Sequence, residues 1–254
     1  MRVHVRFYQE LNFFLKQEQK KRSLDYDAAP GQTVKDLIES FGVPHVEVDL
    51  ILVHGEPVDF SCQVKEGDVI SVYPVFERFD IRSVNKLRPE PLREPRFIAD
   101  VHLGTLARRL RFLGFFTEYH TDAEDEFLAE RCASEGLILL SRDRQLLMRK
   151  IVVRGIYVRA TDPFEQVREL IGRLDLYSSI RTYSRCVACN GELRPLPTEG
   201  EEWERRKGEI PPGVRRWCEE YKICSSCGKI YWRGSHLEKL VPLLKILEED
   251  AAQD

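Results

Sequence analysis

Between residues 97 and 143 the hydrophobic positions change period several times. Phe97-Ile98-Ala99 is a short apolar run that ends in an acid, Asp100. Leu103, Leu106, Ala107, Leu110 and Leu113 then recur at steps of three and four, the spacing of one helix face, and Gly114 follows as a stop. Phe115 to Tyr119 is a second apolar run, leading into the acids Asp122, Glu124, Asp125 and Glu126. Phe127, Leu128, Arg131 and Cys132 carry a helix to Gly136, and Leu137-Ile138-Leu139-Leu140 is a compact buried-type strand with Asp143 just beyond it. Strand, helix, strand, helix, strand predicts an α/β core with a parallel sheet. Leu146 and Leu147 predict a short helix after Asp143, and Ile151–Val153 and Ile156–Val158 predict edge strands. Asp162-Pro163-Phe164-Glu165 reads as a helix start, with Asp at the cap and Pro at the first position.

The pattern differs on either side of this core. In residues 1–80, Val3, Val5 and Phe7 alternate, and Leu24 and Tyr26 suggest a second strand. Pro30-Gly31 marks a turn, and Thr33 caps a helix whose face is Val34, Leu37, Ile38 and Phe41, closed by Gly42. Asp49–Val53 and Val69–Tyr73 predict two more strands, with His54-Gly55-Glu56-Pro57 and Lys65-Glu66-Gly67-Asp68 as turns. His4, His45 and His54 read as isolated turn or surface histidines. Residues 81–96, with Pro89, Pro91 and Pro95, predict a linker. Toward the C-terminus, Cys186-Val187-Ala188-Cys189 and Cys224-Ser225-Ser226-Cys227 form two Cys-x-x-Cys pairs separated by 34 residues. Ser235 and Glu238 form a capping box for a last helix with Leu240, Leu244 and Leu247 on one face and Pro242 as a kink.

Four thiolates at this spacing suit a closed tetrahedral Zn²⁺ site, hence a structural one, with Cys186, Cys189, Cys224 and Cys227 as ligands. Cys62, Cys132 and Cys218 are left over, and an odd count without a signal peptide argues against a disulfide framework. No apolar run approaches the ~20 residues of a membrane helix, and Met1-Arg2-Val3-His4-Val5 lacks a secretory core, so a cytoplasmic protein with no membrane partner is expected. The net charge is −3, unevenly spread. Residues 1–80 hold nine basic against fourteen acidic side chains, residues 81–185 nineteen against fifteen, and residues 186–254 eleven against thirteen. The middle segment is therefore basic although it carries the acidic cluster, as a phosphodiester substrate would need, though ordinary surface charge gives the same balance.

In open α/β sheets, ligands bind beyond the carboxyl ends of the strands. Asp100 and Asp143 each follow a strand, and Asp125 opens a helix on the same rim. Converging carboxylates repel unless a hard cation such as Mg²⁺ or Mn²⁺ neutralises them, and two such ions can clamp the oxygens of a phosphodiester. The competing reading makes these acids helix caps and solvated loop residues. Asp162 is a further acid after a strand, explained equally well as a cap. Arg108, Arg111 and Arg142 are candidate phosphate contacts, because a guanidinium fork donates two hydrogen bonds; structural ion pairs or a solvated helix face are the alternative. Tyr231, Trp232 and Arg233 suit packing against the ribbon or stacking on bases.

Phe97-Ile98-Ala99-Asp100, Leu103-Gly104, Leu106 through Arg111, Gly114, Asp125 with Leu128, and Leu139-Leu140-Ser141-Arg142-Asp143 resemble the PIN-like Mut-seven-C RNase family. The cysteine pairs and Cys227-Gly228-Lys229-Ile230-Tyr231-Trp232-Arg233-Gly234-Ser235-His236 are similar to its C-terminal part. Gly42-Val43-Pro44-His45 and Gly67 through Pro74 resemble the ubiquitin-like, sulfur-carrier-type β-grasp partner often fused ahead of it. The resemblance implies a metal-dependent RNase with Asp100, Asp125 and Asp143 as ligands, Glu126 being a possible substitute for Asp125. It implies a β-grasp domain at 1–80, a linker at 81–96, a PIN-like domain at 97–180 and a zinc ribbon with a closing helix at 181–254. A terminal diglycine is missing after Tyr73-Pro74, which argues against carrier chemistry and leaves RNA or protein binding, or stabilisation of the neighbour, for the N-terminal module. The expected partners are RNA and, through that module, a protein. The alternative is an RNA-binding adaptor with degenerate acids and a structural zinc.

Overall fold

The computed structural model describes residues 1–74, 86, 87, 95–232, 234 and 241–253. Most of the expected linker, Arg233, Leu240 and the Ser235–Glu238 capping box lie outside the described residues. The chain forms two compact units, one of residues 1–102 and 122–158, the other of residues 103–121 and 159–254.

The first unit begins with β1 (Arg2–Phe7), β2 (Leu24–Asp27), α1 (Val34–Ser40), β3 (Val48–Val53), β4 (Glu56–Val58) and β5 (Val69–Pro74). These strands make one sheet in the order β2-β1-β5-β3-β4, with β1 and β5 parallel and the other pairs antiparallel. Alternate residues of β1 (Val3, Val5 and Phe7) are buried with Ile51, Ile70 and Val72 against Val34, Leu37 and Ile38 of α1. Thr33 caps α1 by accepting from the Asp36 N–H, while the Asp36 carboxylate reaches back to Thr33. The stretch expected to be a single turn, His54-Gly55-Glu56-Pro57, is instead a tight hairpin. His54 and Gly55 both have positive φ, +50° and +87°, and that pair closes a two-residue loop, freeing Glu56–Val58 to pair with β3.

The same unit contains three strands of the α/β core, β6 (Phe97–Ala99), β8 (Ile138–Ser141) and β9 (Gly155–Tyr157), paired in parallel in the order β6-β8-β9. Between β6 and β8 the chain forms α2 (Gly104–Phe112), β7 (Thr117–Tyr119) and α3 (Asp125–Glu135); α4 (Arg144–Leu147) follows β8. The parallel strands are buried throughout apart from Tyr157, as a sheet covered on both faces requires. Ile151–Val153 is not the expected strand. The Val152 N–H closes a turn onto Arg149, its carbonyl accepts from His45, and Ile151 and Val153 are exposed. That backbone is satisfied without a ladder, so apolar composition alone misled the reading.

The second unit holds α2, β7, α5 (Pro163–Arg173), β10 (Leu193–Leu196), α6 (Glu201–Arg206), α7 (Pro212–Arg215), β11 (Tyr221–Cys224), β12 (Ile230–Trp232) and α8 (Val241–Gln253). Its sheet runs β10-β11-β12, all antiparallel, over a small core of Leu196, Ile210, Cys218, Tyr221, Ile223 and Ile230. Trp203 and Trp232 pack against that core. Helix α2 packs on α5, where the Arg109 guanidinium lies 4.0 Å from the Phe164 ring centroid. Asp162 accepts from the N–H groups of Phe164 and Glu165, so its capping role is realised.

Candidate active site and metal centre

Because β6 and β8 are parallel and Ala99 stands opposite Leu140, the residues just past them leave the sheet at the same end. Asp100 is 5% exposed there. Its Oδ2 accepts a 2.7 Å hydrogen bond from the Ser141 hydroxyl, whose oxygen in turn accepts from the Asp143 N–H at 2.9 Å. Ser141 thus ties one acid's carboxylate to the other acid's backbone. Asp143 itself is exposed, and its Oδ1 accepts from the N–H groups of Gln145 and Leu146, capping α4.

Asp125 is the first residue of α3 and half-buried; Glu126 beside it is exposed. Gly136, at φ +63°, and Leu137 join the end of α3 directly to the start of β8. The helix packs on β6 and β8, so it runs back along the sheet and its first residue lies toward the strand-end rim. None of Asp100, Asp125 and Asp143 forms an ion pair with a described residue. A buried carboxylate without a cationic partner is costly, and oxygen donors of this kind suit a hard divalent ion. The donor chemistry therefore fits, whereas closure does not. Among the described residues, the four cysteines are the one group of three or more His, Cys, Asp or Glu placed to hold a metal.

The candidate arginines differ sharply. Arg108 is exposed on α2. Arg142 is half-buried and donates to the Val158 carbonyl at 3.2 Å. Arg111 is 5% exposed, and its guanidinium donates to the carbonyls of Thr117, Val187 and Ala188. It holds the first cysteine knuckle against α2, and burial pulls its pKa below the usual guanidinium value. His45, expected at a turn or the surface, is 6% exposed and bridges Glu39 and Val152. His4 and His54 pair with Asp25 and Asp68.

In the second unit the four Sγ atoms of Cys186, Cys189, Cys224 and Cys227 lie within 4.8 Å of one another. Cys186 and Cys227 are 3.7 Å apart and Cys189 and Cys224 3.4 Å, near the ~3.8 Å edge of a tetrahedron with metal–sulfur bonds of about 2.3 Å. Each knuckle is a turn closed by backbone bonds, Asn190 N–H to Cys186 O and Gly228 N–H to Cys224 O, both 2.9–3.0 Å. Burial works against ionising Cys224, but the N–H groups of Cys227 and Ser226 aimed at its sulfur outweigh it and hold the thiol down to about 7. The Tyr231 hydroxyl lies 2.9 Å from the Cys186 sulfur. This donor set fits zinc. Tyr231 and Trp232 are thereby engaged within the ribbon, while Cys132 is a buried thiol pushed up to about 11, far from reactive.

A family model, the Mut7-C RNAse domain, matches residues 95–244, more than half of the chain. The chain belongs to the Mut7-C RNAse family. A second model, Mut7-C ubiquitin, matches residues 1–80, in accord with the five-stranded sheet over α1. No curated protein and no solved structure matches it. The expected α/β architecture, with a parallel sheet, a ubiquitin-like N-terminal part and a C-terminal cysteine cluster able to bind zinc, agrees with these Mut7-C matches. No described helix is long and apolar enough to cross a membrane. Sequence reasoning set Arg111 among the phosphate contacts, whereas its guanidinium is given to backbone carbonyls here, and it assigned no role to Ser141. Ser141 was visible as a hydroxyl between a strand and an acid; nothing local to Arg111 signals carbonyls some 76 residues away.

Proposed function

We propose that this Mut7-C protein is a cytoplasmic, metal-dependent ribonuclease that hydrolyses RNA phosphodiester bonds. The observation that carries the reading is the buried Asp100 carboxylate at the strand-end rim, linked through Ser141 to Asp143 and unpaired with any described cation. Asp100, Asp125 and Asp143 would supply oxygens to Mg²⁺ or Mn²⁺. When bound, the ion supplies charge neutralisation and Lewis acidity toward a phosphate oxygen. The chain's own part is to fix the acids. Ser141 sets the Asp100 rotamer, and the α4 cap orients Asp143. Arg142 and Arg108 offer guanidinium donors to phosphate, whereas Arg111 serves the ribbon. The cysteine cluster would hold one structural Zn²⁺, and the modules would divide at residues 1–80, 97–180 and 181–254.

The test is cleavage of single-stranded RNA in Mn²⁺ by the wild type and by Asp143→Asn. The wild type cuts, and the variant, folded by circular dichroism, loses at least a hundredfold. Equal cleavage by both ends the proposal. A second reading, an RNA-binding adaptor with inert acids, is favoured by the use of Asp143 as a helix cap. It predicts salt-dependent RNA binding, indifferent to Mn²⁺, without cleavage.

A further inference from the structure

We infer that the N-terminal β-grasp module is a positioning element of the acid site, and that it acts through Arg144. This rests on the reading of Asp143 as a functional acid. Arg144 is the first residue of α4, the helix that Asp143 caps. An arginine next in sequence to an acid could fold onto it and neutralise it. Here Nη1 instead donates to the Phe14 carbonyl at 3.4 Å, and the guanidinium carbon lies 5.1 Å from the Phe14 ring centroid and 5.7 Å from that of Tyr157. Gly42 approaches so closely that a Cβ there would sit 3.3 Å from Nη1. Arg144 forms no ion pair with a described residue. Held at Phe14 and Gly42, its guanidinium makes no ion pair with the Asp143 carboxylate.

A second hold grips the other side of the same site. Glu47 is 1% exposed, and its carboxylate accepts from the Tyr157 N–H. Tyr157 stands opposite Ser141 in the ladder, the residue that joins Asp100 to Asp143. The Phe13 and Phe14 rings meet the Tyr157 ring at 5.7 and 5.4 Å. A third contact, His45 Nε2 to the Val152 carbonyl at 2.9 Å, fixes the loop leading into β9. The face carrying Phe14, Gly42, His45 and Glu47 is therefore engaged inside the chain. Its role is to keep α4 and β9 in register around the acids.

Full-length Arg144→Gln and Phe14→Leu, which keep bulk, and their double variant test this. In the Mn²⁺ assay on single-stranded RNA, kcat falls at least tenfold in each single variant with KM within twofold. The double variant is no worse than the poorer single, because both break one linkage. Independently of cleavage, amide exchange at Gln145 and Leu146, whose N–H groups Asp143 accepts, speeds at least tenfold in both singles. Unchanged exchange overturns the proposal. So does a loss confined to KM with a shallower salt dependence, which would make Arg144 a phosphate contact. If Asp143→Asn cleaves like the wild type, the acid reading fails, and the exchange data still decide whether the module holds α4.

Discussion

Ser141 shows how much a single hydroxyl can organise. It is fully buried, donates to the Asp100 carboxylate and accepts from the Asp143 backbone, so its removal strips a charged acceptor and a backbone donor together. A hydrogen bond to a charged group contributes roughly 1.5–3 kcal/mol, so Ser141→Ala should lower stability by about 2 kcal/mol in urea denaturation. It should also cut Mn²⁺-dependent cleavage at least tenfold, while Ser141→Thr, which keeps the oxygen, retains most of both. Arg111 makes the same point in the second unit. Arg111→Leu leaves the carbonyls of Thr117, Val187 and Ala188 without their donor in a buried place, an expected loss of about 3 kcal/mol by thermal unfolding. Asp100 and Asp143 stood out as candidates along the chain because each comes just after an apolar run, and Asp125 because it opens a helix. The partners that decide their roles did not, since a contact such as Arg111 to Ala188 joins residues that no local pattern connects.

Elements explain why the cysteine centre was the most readable part. A Cys-x-x-Cys knuckle is a local turn, and its spacing fixes two sulfurs on one side whatever surrounds it. Gly191 completes the geometry. A Cβ there would lie 2.5 Å from the Ser226 oxygen and 2.8 Å from the Cys224 sulfur, so Gly191→Ala must push the second knuckle away. Zinc content by atomic absorption should fall well below one per chain in that variant. If the four cysteines hold zinc, chelation in the wild type should melt β10–β12 and shift the fluorescence of Trp203, whose ring lies 5.1 Å from Tyr221, because metal binding to a small cysteine site is coupled to its folding. The misread elements, Ile151–Val153 and the turn at His54, failed for a complementary reason. In both, backbone partners and φ angles, not hydrophobicity, set the outcome.

At the scale of the whole molecule, the path of the chain matters more than its linear order. It passes from one compact unit to the other between residues 102 and 103, 121 and 122, and 158 and 159. Cutting the polypeptide between its family-matched segments, 1–80 and 95–244, therefore does not separate the units. The first unit would lose the sheet that packs Phe14 against Tyr157, the Glu47 carboxylate on β9 and the His45 bond to Val152. Val152 is fully buried, and Glu47 and His45 are nearly so, which means that deleting residues 1–80 uncovers apolar surface and takes the Tyr157 N–H and the Val152 carbonyl from their protein partners to water. Each of these hydrogen bonds, exchanged for one to water, is worth about 1 kcal/mol, and the lost apolar burial adds to that, against a typical total stability of about 5–15 kcal/mol. The chain beginning at residue 81 should consequently aggregate or melt at least 10 °C below the full-length protein, with the metal content of its cysteine cluster equal to that of the full-length chain. A truncated chain as stable as the intact one would mean that the N-terminal module lends the α/β core nothing, and the contacts at Phe14, His45 and Glu47 would be incidental.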